Sequence, residues 1–398
     1  MPPSRRSVVV AGLAAAGLSL GGPILRATFG RRLSARTERR LNRVADPGPY
    51  LVPPAAADLH ERLTIVDLHA DTLLWGRDLL ARAPQGHVDV PRMVEGNAAL
   101  QVFAVATKVP RHMSYDANDD RTDDIGLVAL VQGWPRATRR SLTARAEYLA
   151  GRLAASAMAS GGRLVVVRSA ADLEAFLVRR TADPTLVAGL LSIEGAHALD
   201  DDIGNLDRLA DAGFRMVGLA HFFDNAFAGS AHGLAKGGLT GPGRELVAEL
   251  ERRRIVVDVA HASTATIDDV LGLATRPVMA SHGGVRGVAD HARNLSDDQL
   301  RGIAATGGIV GIGFWPTATG GDDAASIARS AAHAVAVAGP DHVALGSDFD
   351  GAVAVPFDIS GLPLLTAELL AEGLDEATIR AVMGGAAIRF LRAALPAT

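Results

Sequence analysis

Eight short apolar runs punctuate the chain, and most are followed by a segment whose apolar residues recur at helical spacing. The runs begin near residues 64, 98, 186, 214, 255, 277, 308 and 343. Ala98–Ala106 (AALQVFAVA), Leu186–Ile193 (LVAGLLSI) and Ile255–Ala260 (IVVDVA) are apolar almost without interruption rather than alternating. That pattern suits parallel strands covered on both faces. Helices are predicted over Thr72–Arg82, Ile125–Ser160, Asp207–Ala212, Gly243–Arg253, Thr264–Leu273, Ser296–Ala305, Ser326–Ala338 and Ala367–Leu395, the last with breaks near Gly373 and Gly384. Ser169 and Ser296 are placed to cap helix N-termini, and Gly213 to end a helix. Leu164–Val167 reads as an additional short strand. Eight strand–helix units over about 330 residues predict an α/β fold, a (β/α)8 TIM barrel. A doubly wound open sheet is the competing architecture, but no GxGxxG follows the first strand.

The polar residues that close these runs carry the chemistry. Thr64-Ile65-Val66-Asp67-Leu68-His69-Ala70-Asp71 ends in a histidine and an aspartate two positions apart, which puts both side chains on one face of a strand tip. Later runs end at Glu194, His221, His261, His282 and Asp348. Barrel enzymes build their active sites at the C-terminal ends of the strands, so these groups converge on one mouth. A single strand-end histidine is ordinarily structural; six such strand ends in one chain are not coincidence. A buried glutamate such as Glu194 is costly without a charged partner. With His221 and Asp348 set aside, His69, Asp71, Glu194, His261 and His282 form a nitrogen and oxygen donor set suited to ions such as zinc. Five ligands suit two ions about 3.5–4 Å apart better than one ion with open positions.

Composition narrows the chemistry. The 398-residue chain has no cysteine, which excludes disulfides, zinc-thiolate sites and a cysteine nucleophile. Nine of its 40 basic residues, but only Glu38 of its 44 acidic ones, lie in the first 45 positions. The remainder, 31 basic against 43 acidic, carries a formal charge of −12 and offers no footprint for nucleic acid. Arg5 and Arg6 precede the apolar run Val8–Leu20, as in a twin-arginine export signal. Residues 1–30 are therefore expected to be an export signal, to the periplasm or the exterior, or an uncleaved N-terminal membrane anchor. Residues 31–57 are expected to be a linker, and 58–398 a single catalytic barrel.

In chain order, Asp67-Leu68-His69-Ala70-Asp71, Ile193-Glu194-Gly195-Ala196-His197, Val257-Asp258-Val259-Ala260-His261-Ala262-Ser263, Ser281-His282, Ala292-Arg293-Asn294 and Gly346-Ser347-Asp348-Phe349-Asp350-Gly351 stand out. They resemble the motifs of the membrane (renal) dipeptidase family, a branch of the metal-dependent amidohydrolase superfamily. The resemblance spans about residues 60–392. It implies a binuclear zinc dipeptidase that hydrolyses L-Xaa-L-Xaa or L-Xaa-D-Xaa dipeptides with a metal-bridging hydroxide. It implies that His69 and Asp71 bind the first zinc, that His261 and His282 bind the second, and that Glu194 bridges them. It further implies His221 as a substrate-binding and oxyanion-stabilising residue, and Arg293 as the grip on the substrate's C-terminal carboxylate. Asp348 would move a proton from water to the leaving amine. A homodimer is expected on the same ground. The alternatives are a lactonase or N-acyl-amino-acid hydrolase of the same superfamily, or a non-catalytic metal- or peptide-binding barrel.

Departures from the family leave the preferred side chains open. Mammalian relatives place a tyrosine after the seventh strand, where this chain has Phe314-Trp315-Pro316. Of the remaining histidines, His60, His87, His112, His333 and His342 are expected at the surface or in local hydrogen bonds. His291 is expected to shape the Arg293 loop, His197 to support Glu194 from behind, and His232 to sit in the active-site loop. Asp67 is expected to orient ligands, and Asp350 competes with Asp348 for the proton-transfer role.

Overall fold

The computed structural model describes residues 23–398, so the expected export signal lies, up to position 22, outside the described residues. Eight parallel strands close a barrel: β1 (Ile65–Ala70), β2 (Ala98–Ala106), β3 (Val187–Glu194), β4 (Phe214–Gly218), β5 (Val256–Asp258), β6 (Met279–Gly283), β7 (Ile309–Ile312) and β8 (Val343–Leu345). Strands β3 to β8 neighbour one another in sequence order. β8 then pairs with β1 through Leu345 and Asp67, and β1 pairs with β2. Leu100–Ala106 of β2 joins Ala188–Glu194 of β3 to complete the ring. The extra strand Leu164–Val166 stays outside it, paired with the first half of β3, while the second half of β3 pairs with β4.

Every residue of β1, β2 and β3 is buried, as the unbroken apolar runs predict for strands walled on both faces. Ala188, Met216, Val256, Met279, Ile309 and Ala344, near the strand starts, share one core with Ile388, Phe390 and Leu391 of the last helix, Ala386–Ala394. Just before that helix, Gly384 approaches β1 so closely that a Cβ would stand 2.1 Å from the carbonyl oxygen of Thr64. The last helix therefore closes the N-terminal mouth, and the opposite mouth is left for chemistry.

The structure corrects three expectations. Thr72–Arg82 is not a helix: the 3-10 turn Thr72–Trp75 ends at Gly76, whose φ is 77°. Its helix-like spacing instead buries Leu73 and Leu79 from an irregular loop. Ile125–Ser160 is divided into helices Asp124–Gln132 and Leu142–Ala159. Gly133 takes a left-handed φ of 71° there and Pro135 follows, which together stop a helix. Finally, 31–57 is not a linker. It completes the helix Pro23–Leu41, supplies a strand Arg43–Val44 paired in parallel with Ala354–Val355, and begins the helix Pro54–Glu61. Glu38 fastens it: the buried carboxylate accepts from Arg77 Nε at 2.5 Å, and Arg77 Nη2 donates to Asp350 at 2.5 Å. Among the described residues no helix is long and apolar enough to cross a membrane.

His60 and His87 are buried rather than at the surface, although their bonds are the local kind expected. His60 sits between Thr366 Oγ1, at 2.8 Å, and the Gly96 carbonyl oxygen, at 3.0 Å. Burial holds its pKa down at about 4, against 6.5 when exposed. The unfolded chain thus takes up a proton that the folded chain refuses. Stability is expected to fall as pH drops from about 6.5 to about 4, by about 3 kcal/mol for this group. Urea unfolding at about pH 7 and about pH 4.5 should show a smaller acid loss in His60→Gln than in the wild type. Equal losses in the two proteins would remove His60 from the account.

Candidate active site

The eight residues singled out at the strand ends and in the Arg293 loop come together at the C-terminal mouth. Glu194, the last residue of β3, is the hub. Its Oε1 lies 3.1 Å from His261 Nε2, 3.5 Å from His282 Nε2 and 3.5 Å from His69 Nε2. Its Oε2 lies 3.3 Å from His221 Nε2. His69 and Asp71 converge as strand alternation requires, with Nε2 and Oδ2 3.4 Å apart. Asp348 Oδ1 stands 4.0 Å from His69 Nε2, and the Nε2 atoms of His261 and His282 face each other at 2.8 Å. Three overlapping donor sets result: His69–Glu194–His282, Glu194–His221–His261 and His69–Asp71–Asp348, each with its ligand atoms within 4.8 Å. The geometry thus draws His221 and Asp348 in beside the five expected ligands.

The backbone is bent to achieve this. His261 and Asp348 follow β5 and β8 in tight turns, with left-handed φ values of 62° and 61°. Such conformations are uncommon outside glycine and asparagine, and they cluster at functional sites. Gly195 has a φ of 99°, and a Cβ there would lie 2.4 Å from the His197 ring and 3.1 Å from the Cβ of His221. Only glycine lets the chain turn between Glu194 and these histidines.

Buried polar neighbours hold the cluster in place. Asp67 accepts from the backbone N of Ser347 at 2.8 Å and from its Oγ at 2.6 Å, which ties β1 to the Asp348 turn. Asp258 links β5 to β6, accepting from the backbone N of Ala260 and of Ser281 at 2.9 Å each. Ser281 Oγ lies 2.9 Å from His282 Nδ1 and 3.4 Å from His69 Nδ1, which leaves both Nε2 atoms turned to the centre. Ser281 and Ser347 stand in the motifs the sequence offers, beside His282 and Asp348, but nothing in the sequence assigns either a role. Asp350 is turned away from the cluster. It accepts from Thr72, Arg77 and the backbone N of His87, and Arg77 overcomes the effect of burial to hold it below the usual carboxylate range. His197 lies nearly parallel to His221, with ring centres 6.5 Å apart. His232 bonds Tyr115 O at 3.0 Å, with its ring 5.2 Å from that of His261. His291 Nδ1 accepts from the backbone N of Arg293 at 3.1 Å, as expected of a residue shaping that loop.

The cluster has the electrostatics of a cation site. His69 Nε2 and Asp71 Oδ1 are buried without a hydrogen-bond partner. Burial, reinforced by Asp71, pushes Glu194 well above the carboxylate range and raises Asp348 to about 8. Burial opposes a charge on His69, yet Glu194, Asp71 and Asp348 raise it to about 10. Crowded carboxylates and inward-facing imidazole nitrogens, with no sulfur, fit a hard-to-borderline divalent ion. Beside them Arg293 is 5% exposed. Its Nη2 donates to the His282 carbonyl at 2.8 Å, its Cζ lies 5.9 Å from the Trp315 ring centre, and its Nε has no partner. A cavity of about 500 Å3 opens above, with Leu41, Leu74, Ile125, Val128, Phe222 and Trp315 among its apolar walls. That is the size of a small-molecule site.

The sequence profile of the membrane dipeptidase family, peptidase family M19, matches residues 54–397. The chain is 30% identical over 335 residues to dipeptidase verJ of Clonostachys rogersoniana, covering 79% of this chain and 85% of that protein. Among solved structures it is similar to the dipeptidase AC, a metallopeptidase of family M19, with a TM-score of 0.69 and 30% identity over 84% of this chain and 99% of the other. A metallopeptidase from Rhodobacter sphaeroides, solved with a phosphinate mimic of the dipeptide L-Ala-D-Ala, has a TM-score of 0.69 and 29% identity over 83% of this chain and 99% of its own. The matched region carries the whole barrel and every residue of the cluster, so this chain belongs to the membrane dipeptidase family and is a hydrolase of the metallo-dipeptidase class.

Proposed function

We propose that this chain is a zinc-dependent dipeptidase with two ions per chain, cleaving L-Xaa-L-Xaa or L-Xaa-D-Xaa dipeptides. The observation that carries this reading is the position of Glu194, whose Oε1 lies within 3.5 Å of the imidazoles of His69, His261 and His282 together. His69 and Asp71 would hold one ion, His261 and His282 the other, and Glu194 both. When bound, the ions supply Lewis-acid polarisation of the scissile carbonyl and an acidified water. The residues of the chain do the rest. Arg293 receives the C-terminal carboxylate on the side of its guanidinium not held by the His282 carbonyl. His221 Nε2 donates to the oxygen of the carbonyl as charge develops there. Asp348 accepts the proton of the attacking water and delivers it to the departing amine. Arg5 and Arg6 support export in a folded state, and family likeness supports a homodimer.

Metal content per chain, measured together with hydrolysis of L-Ala-L-Xaa and L-Ala-D-Xaa panels, tests the reading. About two zinc ions and chelator-sensitive cleavage are expected. Metal without cleavage of any dipeptide would overturn the activity, and no stoichiometric metal after reconstitution would overturn the centre. Arg293→Ala is expected to raise KM by about 10- to 100-fold, the loss of a hydrogen bond to a charged group, with a smaller change in kcat. The same variant should cease to discriminate between a dipeptide and its C-terminal amide, and unchanged discrimination would place the carboxylate elsewhere.

A further inference from the structure

The region matched by the family profile begins at residue 54, yet part of the cavity wall comes from before it. Thr37, Arg40 and Leu41 of the helix Pro23–Leu41, and Arg43 just beyond it, line the same cavity as Asp71, Glu194 and Asp348. This wall is built in. Glu38 is fully buried on Arg77, which also holds Asp350, two residues past Asp348. Ser34 Oγ donates to the Trp75 carbonyl at 3.1 Å and accepts from Gln132 Nε2 at 2.9 Å. Gly30 meets the helix Asp124–Gln132 so closely that a Cβ would lie 2.1 Å from the carbonyl oxygen of Val131. The pairing of Arg43–Val44 with Ala354–Val355 pins the end of the segment beside the β8 loop.

The charge on this wall is one-sided. Arg40 and Arg43 are exposed and form no side-chain hydrogen bond or ion pair among the described residues. The anions of the cavity lining outside the cluster already have partners: Asp350 pairs with Arg77, and Asp124 lies 3.3 Å from Arg111. Barrel topology says which half of a substrate meets these arginines. Arg293 follows β6, and the segment lies against the loops after β8, β1 and β2, the last of which stands opposite β6 in the ring. A dipeptide with its carboxylate on Arg293 and its scissile bond over the cluster directs its amino-terminal residue to that side.

We propose that residues 37–43 form a specificity wall and that Arg40 and Arg43 select dipeptides whose amino-terminal residue carries an acidic side chain. The proposal rests on the dipeptidase reading and on the Arg293 pose. An exposed ion pair contributes up to about five-fold, so the preference for L-Glu-L-Ala over the isosteric L-Gln-L-Ala in kcat/KM is expected to be up to about five-fold for each arginine engaged. Full-length, zinc-loaded protein is assayed as wild type, R40A/R43A and R40K/R43K, with L-Ala-L-Ala as a third substrate. The Glu-to-Gln ratio should fall towards one in the alanine variant, be kept by the lysine variant, and shrink with added salt in the wild type. A wild-type ratio of one, or a ratio that survives R40A/R43A, overturns the wall while L-Ala-L-Ala turnover keeps the dipeptidase. Loss of turnover on all three substrates in the wild type overturns both.

Discussion

Glu194→Ala is expected to abolish dipeptide hydrolysis and to deplete metal from both halves of the centre at once. Among the described residues, the carboxylate is the one group that reaches His69, His221, His261 and His282 together, at 3.1–3.5 Å. Mutation of an outer partner of a metal ligand costs about 10–100-fold, and removal of a shared ligand should exceed that. Metal analysis after dialysis distinguishes this role from a peripheral one. His261→Ala should weaken one ion and leave the other, whereas Glu194→Ala should weaken both. Retention of two tightly held ions in Glu194→Ala would mean that the carboxylate does not bridge.

Asp348→Asn is expected to lower kcat by about 10²–10⁴-fold, the scale of a positioned general acid–base, with KM and metal content nearly unchanged. Asparagine suits the position, because Asp348 has a φ of 61° and asparagine tolerates that left-handed conformation. The fold is thus spared while the proton acceptor is lost. Asp350→Asn is the control. Its carboxylate is engaged by Arg77 and Thr72 away from the cluster, so the variant should lose stability more than turnover. A larger kcat loss in Asp350→Asn than in Asp348→Asn would exchange the two assignments.

The barrel and the convergence of its strand-end residues were legible because each rests on a local pattern. Unbroken apolar runs mark strands walled on both sides, and a histidine or acid at the ends of six of the eight marks the mouth where those side chains converge. Thr72–Arg82 was misread because Leu73, Leu74, Leu79 and Leu80 imitate helical spacing, while Gly76 with its φ of 77° forbids the helix. The wall at residues 37–43 was not legible for a different reason. Glu38 is the lone acid in a basic segment, and its partner Arg77, which also holds Asp350, lies 39 positions along the chain. No periodicity announces a contact of that separation. The roles of Ser281 and Ser347 were hidden, although both stand in the motifs, because a serine beside a strand-end histidine or acid has no distinctive spacing of its own.

The closing seam between β8 and β1 has a consequence for how the protein is made. Ser347 bonds Asp67 across 280 positions, and the donor set His69–Asp71–Asp348 exists only once that seam has formed. A chain still emerging from the ribosome can assemble β1 to β7 and yet lack the last carboxylate of its centre. Such long-range closure is slow, and hydrolytic competence should appear late, after synthesis is complete. The protein would thereby be inert towards cellular peptides until its final strand is home.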